Sequence, residues 1–343
     1  MYKERSMSTI KDIAREAGVS IATVSIVLNG KGGARKISAE TQARIHAIAQ
    51  KLHYVPNQSA KKLRAAGQGH YAIAFYWATD FRIHYLARIT LGIQQEIMRQ
   101  HNVVHLAVVP YEADHLQEQM ESLQNEFFNS IIIANTSDKD MDYLQHCRLT
   151  YPVVLFNRES PYYSSVTMDN YKLGCRVARH FLRKKVYNAA ILTHNADLPI
   201  MSQWTHGFLN TFCQNGHPLA ADHILRCSPH AGDAVALIRR LHAAQALPRA
   251  IFCESDLLAH GVLYACHNLQ IAIPQQLEVF TMGINSPAVN DYAVPSLSRI
   301  DIPMGEIGAA CLRLAVDLLE KRRPNPTVLY VDGTKIIRQS SPE

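Results

Sequence analysis

The pattern of apolar and polar positions at the start of the chain predicts short helices joined by a tight turn. Apolar residues of the first helix recur at the spacing of one helical face: Ile10, Ile13, Ala14 and Ala17. Thr9 precedes this run and Asp12 follows three residues later, as in a capping box. Gly18 permits a turn, and Ser20 can cap a second helix from Ile21 to about Asn29. The spacing therefore predicts helix, turn and helix.

The second helix is predicted to expose a face without charge. Val24, Val27 and Leu28 form its buried side, and a third helix after Ser38 can cover that side. The opposite face carries small, apolar or short polar residues: Ala22, Ser25, Ile26 and Asn29. A merely solvated helix usually carries Lys and Glu, so this face favours insertion into a DNA major groove. A helical hairpin packed on another domain is the alternative.

From Tyr71 onward, short apolar runs alternate with amphipathic segments. The first predicted strands are Tyr71–Trp77, Val103–Val109, Ile131–Ala134 and Val153–Phe156. The second set is Ala189–Thr193, His223–Arg226, Ala250–Cys253 and Leu277–Met282. This alternation predicts two α/β lobes, each with a doubly wound parallel sheet. Ser296–Ile302 and Thr327–Val331 can cross between the lobes.

The strand ends predict where a ligand binds, because open parallel sheets hold ligands beyond the carboxyl ends of their strands. Candidates at these ends are Asp80, Phe81, Tyr111, Asn157, Arg158, the segment from Asp197 to Trp204, Asp256 and Asn285. Trp204 can stack on a ring or fill the cleft wall. Asp256 can contact a ligand or cap the next helix. Arg158 can hold an anion or pair with a carboxylate.

Positive charge is concentrated at the start of the chain. Residues 1–70 contain twelve Lys/Arg and four Asp/Glu, a charge of +8, and the remaining residues carry −2. This asymmetry indicates that the first segment meets a polyanion such as double-stranded DNA. A solvated basic face without a partner is the alternative.

Several function classes lack their sequence signals. The seven cysteines are scattered without a CxxC pair, which favours reduced thiols over disulfides or zinc, and we expect no metal and no cofactor. We expect a cytoplasmic protein, since no apolar run of about 18 residues or signal peptide occurs. Catalytic motifs such as GxSxG, GxxxxGK[ST] and HExxH are missing, so an enzyme is not expected. A secreted solute-binding protein would have the same two lobes, but the basic segment over residues 1–70 argues against this class.

Many segments together resemble the LacI/GalR family of bacterial repressors. In the head they are Thr9–Ala14, Ala17–Ser20, Thr23–Ser25, Val27–Gly30 and Tyr54–Asn57, with Ala60, Leu63 and Arg64. Further along they are Gly92, Asp169, Asn170, Gly174, Asp256, Ala259, Gly261 and Pro295–Ile300, with Pro303 and Gly308. The resemblance implies a transcription repressor with a periplasmic-binding-protein-like sensor.

The resemblance also implies an organisation: a helix-turn-helix domain over 8–55, a hinge helix and linker over 56–70, and a sensor and dimerisation domain over 71–343. Two heads of a homodimer would bind a near-palindromic operator, on the nucleoid. A small-molecule effector between the lobes, a sugar or a related metabolite, would control operator affinity. The implied DNA-binding residues are Thr9, Ser20, Ile21, Ala22, Thr23, Ser25, Ile26, Asn29, Asn57, Ala60, Lys61, Leu63 and Arg64. Leu63 would be a wedge between base steps in the minor groove.

The chain departs from the family at several of these positions. Ile26 stands where the family commonly has an arginine, and isoleucine cannot bind guanine bidentately. We therefore expect Ile21, Ala22 and Ile26 to read base edges by apolar contact with thymine methyl groups. At the effector site, the residues that replace the family's usual sugar contacts are Asn157, Trp204, Ser255 and Asn285. These replacements put the usual sugar or purine contacts in doubt.

Overall fold

The structure of the protein is a computed structural model. It describes residues 10–28, 33, 35, 37–52, 69–80, 82–122, 128–147, 149, 151–195 and 199–343. The chain divides into two compact units, Met1–Arg64 and Ala65–Glu343. No described helix is both long enough and apolar enough to cross a lipid bilayer.

The first unit is built on three helices, α1 (Ile10–Ala17), α2 (Ile21–Leu28) and α3 (Ala39–Lys51). Ile13, Val24 and Ile45 are fully buried where the helices meet. The turn between α1 and α2 uses Gly18 at φ +66°, a conformation that costs glycine little. As predicted, Ser20 caps α2, because its Oγ accepts from the Thr23 backbone N–H at 3.1 Å.

The first lobe of the second unit has a six-stranded parallel sheet. Its strands are β1 (His70–Ala78), β2 (Val103–Tyr111), β3 (Ser130–Ala134), β4 (Val153–Phe156), β5 (Ser164–Thr167) and β11 (Val328–Tyr330). They lie in the order β11-β5-β4-β3-β1-β2, and every pairing is parallel. Its helices are α4 (Ile83–Arg99), α5 (Leu116–Ser122), α6 (Asp138–His146) and α12 (Met304–Leu319).

The second lobe has a sheet of the same size. Its strands are β6 (Ala189–His194), β7 (Ile224–Cys227), β8 (Ala250–Cys253), β9 (Glu278–Gly283), β10 (Ser298–Asp301) and β12 (Thr334–Ile336). Their order is β12-β10-β9-β8-β6-β7, and only β12 runs antiparallel to its described neighbour. Its helices are α7 (Asn170–Arg183), α8 (Pro199–Gln214), α9 (Ala231–Ala243), α10 (Asp256–Asn268) and α11 (Pro287–Asp291).

The chain passes between the lobes three times, after β5, after β10 and after β11. The predicted fold class, a helical head with two doubly wound α/β lobes, is confirmed. The predicted strands agree with the observed ones to within two residues at each end. Sequence reasoning missed β5, whose residues Ser164 and Ser165 are fully buried although polar.

Candidate functional site

The first candidate surface is the face of α2 that points away from the core of the head. Val24 and Val27 are buried, whereas Ile21 is 46% exposed and Ala22 is exposed. Ile26 is half-buried. Helix α2 contains no charged residue. The face can therefore make close apolar contacts with a partner but can supply no charge of its own.

Two polar residues of this surface, Ser20 and Thr23, make hydrogen bonds within the first unit. The hydroxyls of Ser20 and Thr23 are hydrogen-bonded to each other at 2.8 Å, which orders the first turn of α2. Ser25 is half-buried. The other predicted DNA-binding residues lie outside the described residues: Thr9, Asn29, Asn57, Ala60, Lys61, Leu63 and Arg64. The predicted effector-site residue Phe81 lies outside them as well.

The second candidate site is a cleft between the two lobes, with about 500 Å³ of empty space including the part open to solvent. Its lining comes from the carboxyl ends of strands in both sheets and from three helices. The lining residues are Trp77, Arg82, Tyr85, Asn135, Phe156, Asn157, Met168, Trp204, Ile284, Ile302 and Met304. The cleft thus lies where parallel α/β sheets bind ligands.

Asn157 and Trp204, both predicted from sequence, line the cleft and are linked through Asn170. The Trp204 indole N–H donates to Asn170 Oδ1 at 3.0 Å, and Asn170 Nδ2 donates to Asn157 Oδ1 at 3.0 Å. The same Asn157 oxygen accepts from the Thr167 hydroxyl at 3.2 Å. These bonds connect the first lobe, through α7, to helix α8 of the second lobe.

Arg82 is the charged side chain of the cleft wall. Its Nε lies 2.8 Å from Asp80 Oδ2, and one terminal nitrogen, Nη2, also pairs with that carboxylate. Nη2 donates in addition to the Asn135 carbonyl at 3.2 Å. Asp80, a predicted site residue, therefore orients Arg82 and is not itself part of the cleft lining.

Several donors on the cleft wall have no partner among the described residues. The buried Trp77 Nε1 and Asn135 Nδ2 make no hydrogen bond within the described part of the chain. Arg82 Nη1 likewise donates to no described residue. Burial raises the pKa of the Tyr85 phenol above its ordinary value, and the charge of Asp256 adds to this effect. The Tyr85 hydroxyl therefore stays protonated and can donate.

Two predicted cleft residues lie elsewhere. Tyr111 is buried in the core of the first lobe, where its hydroxyl donates to the Ala134 carbonyl at 3.2 Å. Arg158 pairs with Asp138 at 2.6 Å, which matches the alternative of a carboxylate partner. The ring of Tyr111 cannot reach the cleft, because its strand turns that side chain toward Tyr76 and the opposite face of the sheet.

Asp256 and Asn285 form a structural unit behind the cleft. The fully buried Asp256 carboxylate accepts from the backbone N–H of Asn285 at 2.9 Å and from that of Ile284 at 3.2 Å. The reading of Asp256 as a helix cap is wrong in detail, since Ser255 caps α10. Arg88 of the first lobe donates to the Asn285 carbonyl at 2.6 Å, so this unit also contributes to the contact between lobes.

Sequence reasoning missed most of the cleft wall. Asn135 directly follows β3, so the rule of strand ends could have identified it. The missed apolar residues Phe156, Met168 and Ile302 could not be recognised from sequence, because the same residue types occupy ordinary core positions. Arg82 could be recognised only once Asp80 was seen to turn it toward the cleft.

A helix-turn-helix head combined with a two-lobed ligand-binding fold defines a class of transcription regulators. Residues 9–57 match the family model for bacterial regulatory proteins of the lacI family. Residues 178–341 match the model for the periplasmic binding protein-like domain. The chain belongs to the LacI family of bacterial transcription regulators, as the following relatives show.

A LacI family transcription regulator from Clostridium acetobutylicum is 32% identical, with a TM-score of 0.74; the match covers 78% of this chain and 99% of that one. The ribose operon repressor of Halalkalibacterium halodurans is 24% identical over 332 residues, 96% of each chain. The lac repressor dimer bound to operator and the anti-inducer ONPF has the same fold, with a TM-score of 0.70 at 18% identity; the match covers 98% of this chain and all of that one.

Proposed function

We propose that this chain is a homodimeric repressor whose affinity for a near-palindromic DNA operator is set by a small metabolite in the interlobe cleft. The proposed organisation is a DNA-binding head over 8–55, a hinge over 56–70 and a sensor over 71–343. The regulator acts in the bacterial cytoplasm and resides on the nucleoid when bound. Its relatives supply the precedent, since a ribose operon repressor and an operator-bound lac repressor dimer are among them.

The proposed reading of DNA rests on α2. The exposed Ile21 and Ala22 and the half-buried Ile26 offer apolar surface at the start and middle of this helix. In a major groove such surface distinguishes thymine, which carries a methyl group, from the other bases. The hinge residues Asn57, Ala60, Lys61 and Arg64, with Leu63 as the wedge, are proposed to follow the family pattern in the minor groove.

The proposed control by a metabolite rests on one observation, that the cleft draws its lining from both lobes. A ligand that contacts both lobes has its full set of contacts only when they are close together. It therefore binds the closed arrangement more tightly than the open one, and this difference in affinity is what shifts the equilibrium between them. The same free-energy difference couples the ligand to the operator.

Exposed apolar side chains on the first lobe support the homodimer. Exposed apolar side chains occur on α4 and on the side of the edge strand β2 that faces α4: Leu91, Met98 and Val108. A symmetric dimer buries the same patch on both subunits, and it places two heads on the two halves of a palindrome.

The experiment is selection of binding sites from random duplex DNA with the full chain, followed by affinity measurements at several salt concentrations. We expect a two-fold-symmetric site and an affinity that falls steeply with salt, since phosphate contacts release counterions. Addition of metabolites should then change the affinity. Absence of any preference over random competitor DNA would refute the proposal.

A matched pair of variants separates the reading surface from the rest of the head. Ala22 on α2 and Ala43 on α3 are both exposed alanines. Ala22→Glu should abolish binding, because it places a carboxylate against the bases and phosphates. Ala43→Glu adds the same charge to the same unit and should weaken binding far less.

A further inference from the structure

We infer that the cleft takes a planar, largely apolar molecule that ends in a carboxylate or carbonyl oxygen, and that it excludes polyhydroxylated sugars. This inference rests on the proposed function in one respect, that the cleft is the effector site. It narrows the effector from a small metabolite in general to one chemical class.

The shape and polarity of the walls indicate a flat, apolar body. Four aromatic side chains line the cleft: Trp77, Tyr85, Phe156 and Trp204. The remaining apolar lining residues are Met168, Ile284, Ile302 and Met304. Aromatic walls favour offset or edge contacts with another planar ring, and methionine adapts to the outline of what it covers.

The polar groups of the cleft are mainly donors. Trp77 Nε1 and Arg82 Nη1 can only donate, and neither has a partner among the described residues. Asn135 Nδ2 is buried and unpartnered in the same part of the chain. Leaving the buried Trp77 and Asn135 donors without partners is costly, so the favourable occupant is one that supplies acceptor oxygens to them.

Acceptors for a sugar are scarce on the same walls. No aspartate or glutamate is among the described lining residues. The carboxylate of Asp80 is held by Arg82, and Asn157 Oδ1 already accepts hydrogen bonds from Thr167 and Asn170. Each hydroxyl of a sugar both donates and accepts, so several sugar donors would be buried without partners. A carboxylate or carbonyl oxygen only accepts, and this matches what the walls offer.

The chain carries its own probe of the cleft, because its only two tryptophans are Trp77 and Trp204, and both line it. The test is titration of the full chain, without DNA, with benzoate, cinnamate and nicotinate, followed by tryptophan fluorescence and melting temperature. Ribose, glucose and benzyl alcohol are the comparison set.

We expect at least one planar carboxylate to change the fluorescence and raise the melting temperature, and the comparison set to do neither. Saturable binding of a sugar, or no binding of any planar carboxylate at millimolar concentration, would overturn the inference.

A conservative pair of variants tests the donor role of Trp77. Trp77→Phe removes the indole N–H and keeps an aromatic ring, and it should weaken binding of the best carboxylate about tenfold in calorimetry. Tyr76→Phe removes one polar atom from the neighbouring position of β1, whose side chain packs on the opposite face of the sheet, and it should leave affinity unchanged. Equal affinity of Trp77→Phe and the parent protein would contradict the donor role.

Operator binding on the same preparation separates this inference from the proposed function. If the protein binds its operator and responds to a sugar, the proposed function holds and the ligand class is wrong. If a planar carboxylate binds the cleft and operator affinity does not change, the ligand class holds and control through the cleft is wrong.

Discussion

The backbone of Gly174 on α7 lies directly against Trp204 on α8. A Cβ atom built on Gly174 would stand 2.1 Å from the Trp204 carbonyl oxygen, far inside any normal contact. Because this close approach joins α7 to α8, it fixes the position from which the Trp204 ring enters the cleft. The glycine therefore serves the cleft without touching it.

Gly174→Ala should push α7 and α8 apart and displace Trp204. We expect a loss of about 1–3 kcal/mol in the free energy of unfolding, the usual cost of forcing a methyl group into a packed site. The tryptophan emission should shift as well, since Trp204 would lose its bond to Asn170. Chemical denaturation and fluorescence measure both effects.

Gly232 is the matched control for this substitution. It also lies in a helix, α9, but nothing stands within 4 Å of a Cβ built on it. Gly232→Ala should leave the tryptophan emission unchanged and stabilise the helix by roughly 0.5–1 kcal/mol. A similar loss of stability in both variants would show that the contact with Trp204 is unimportant.

Glu254 should make stability depend on pH. Burial raises the pKa of its carboxyl from 4.5 to about 7, although the Thr193 and Thr205 hydroxyls donate to it. The folded state thus favours the protonated form. This contribution is fully present below pH 4.5, decreases as the pH rises, and is lost above about pH 7. The shift corresponds to about 3 kcal/mol.

Glu254→Gln isolates this contribution, because glutamine keeps the shape of the side chain and cannot ionise. Melting temperatures of the parent protein and the variant, measured across this pH range, should diverge as the pH rises, with the variant more stable at the alkaline end. Parallel curves would contradict the raised pKa.

Ile26→Arg should change the base preference of the head. An arginine at this position of α2 can bind guanine bidentately, which is worth about 1–3 kcal/mol against other bases. Site selection with the variant should return guanine in each half-site at a position where the parent protein favours thymine or shows no preference. Ala43→Arg adds the same charge on α3 and should raise affinity for all sequences alike. A guanine preference already present in the parent protein would contradict the apolar reading by Ile26.

Val108→Glu should dissociate the dimer. Val108 is 44% exposed on β2, one edge of the first sheet, and Val328 is 39% exposed on β11, the opposite edge. Light scattering should report monomers for Val108→Glu, because two carboxylates would meet across the symmetric patch, and dimers for Val328→Glu. A dimer in both variants would place the interface elsewhere.

The fold was largely predictable from the sequence because its central strands are continuous apolar runs buried on both faces. Val153–Phe156 and Ala250–Cys253 were predicted with their observed limits. Strand β5 escaped prediction because it begins with two buried serines, and the Ser164 hydroxyl finds its partner far along the chain. Ser164 Oγ, for example, is hydrogen-bonded to Asn325 Oδ1 at 2.9 Å. Such a partner cannot be recognised from local pattern.

The cleft was less predictable than the fold. The rule of strand ends identified Asn157 and the segment from Asp197 to Trp204, and both Asn157 and Trp204 line the cleft. The rule of strand ends does not tell which way a side chain points at a strand end. It therefore also selected Tyr111, whose side chain points into the core. Asp256 was chosen because it follows the end of a predicted strand, but its carboxylate accepts from the backbone N–H groups of Ile284 and Asn285 and holds their loop.

The three passages of the chain between the lobes have a consequence for any attempt to divide the sensor. Strands β11 and β12, which follow each other closely near the end of the chain, complete the edge of one sheet and then of the other. Neither half is therefore encoded by a single uninterrupted stretch, and neither can be excised as a self-contained fragment. Loss of the last strands would expose an edge in both halves, so we expect the sensor to melt as one cooperative body.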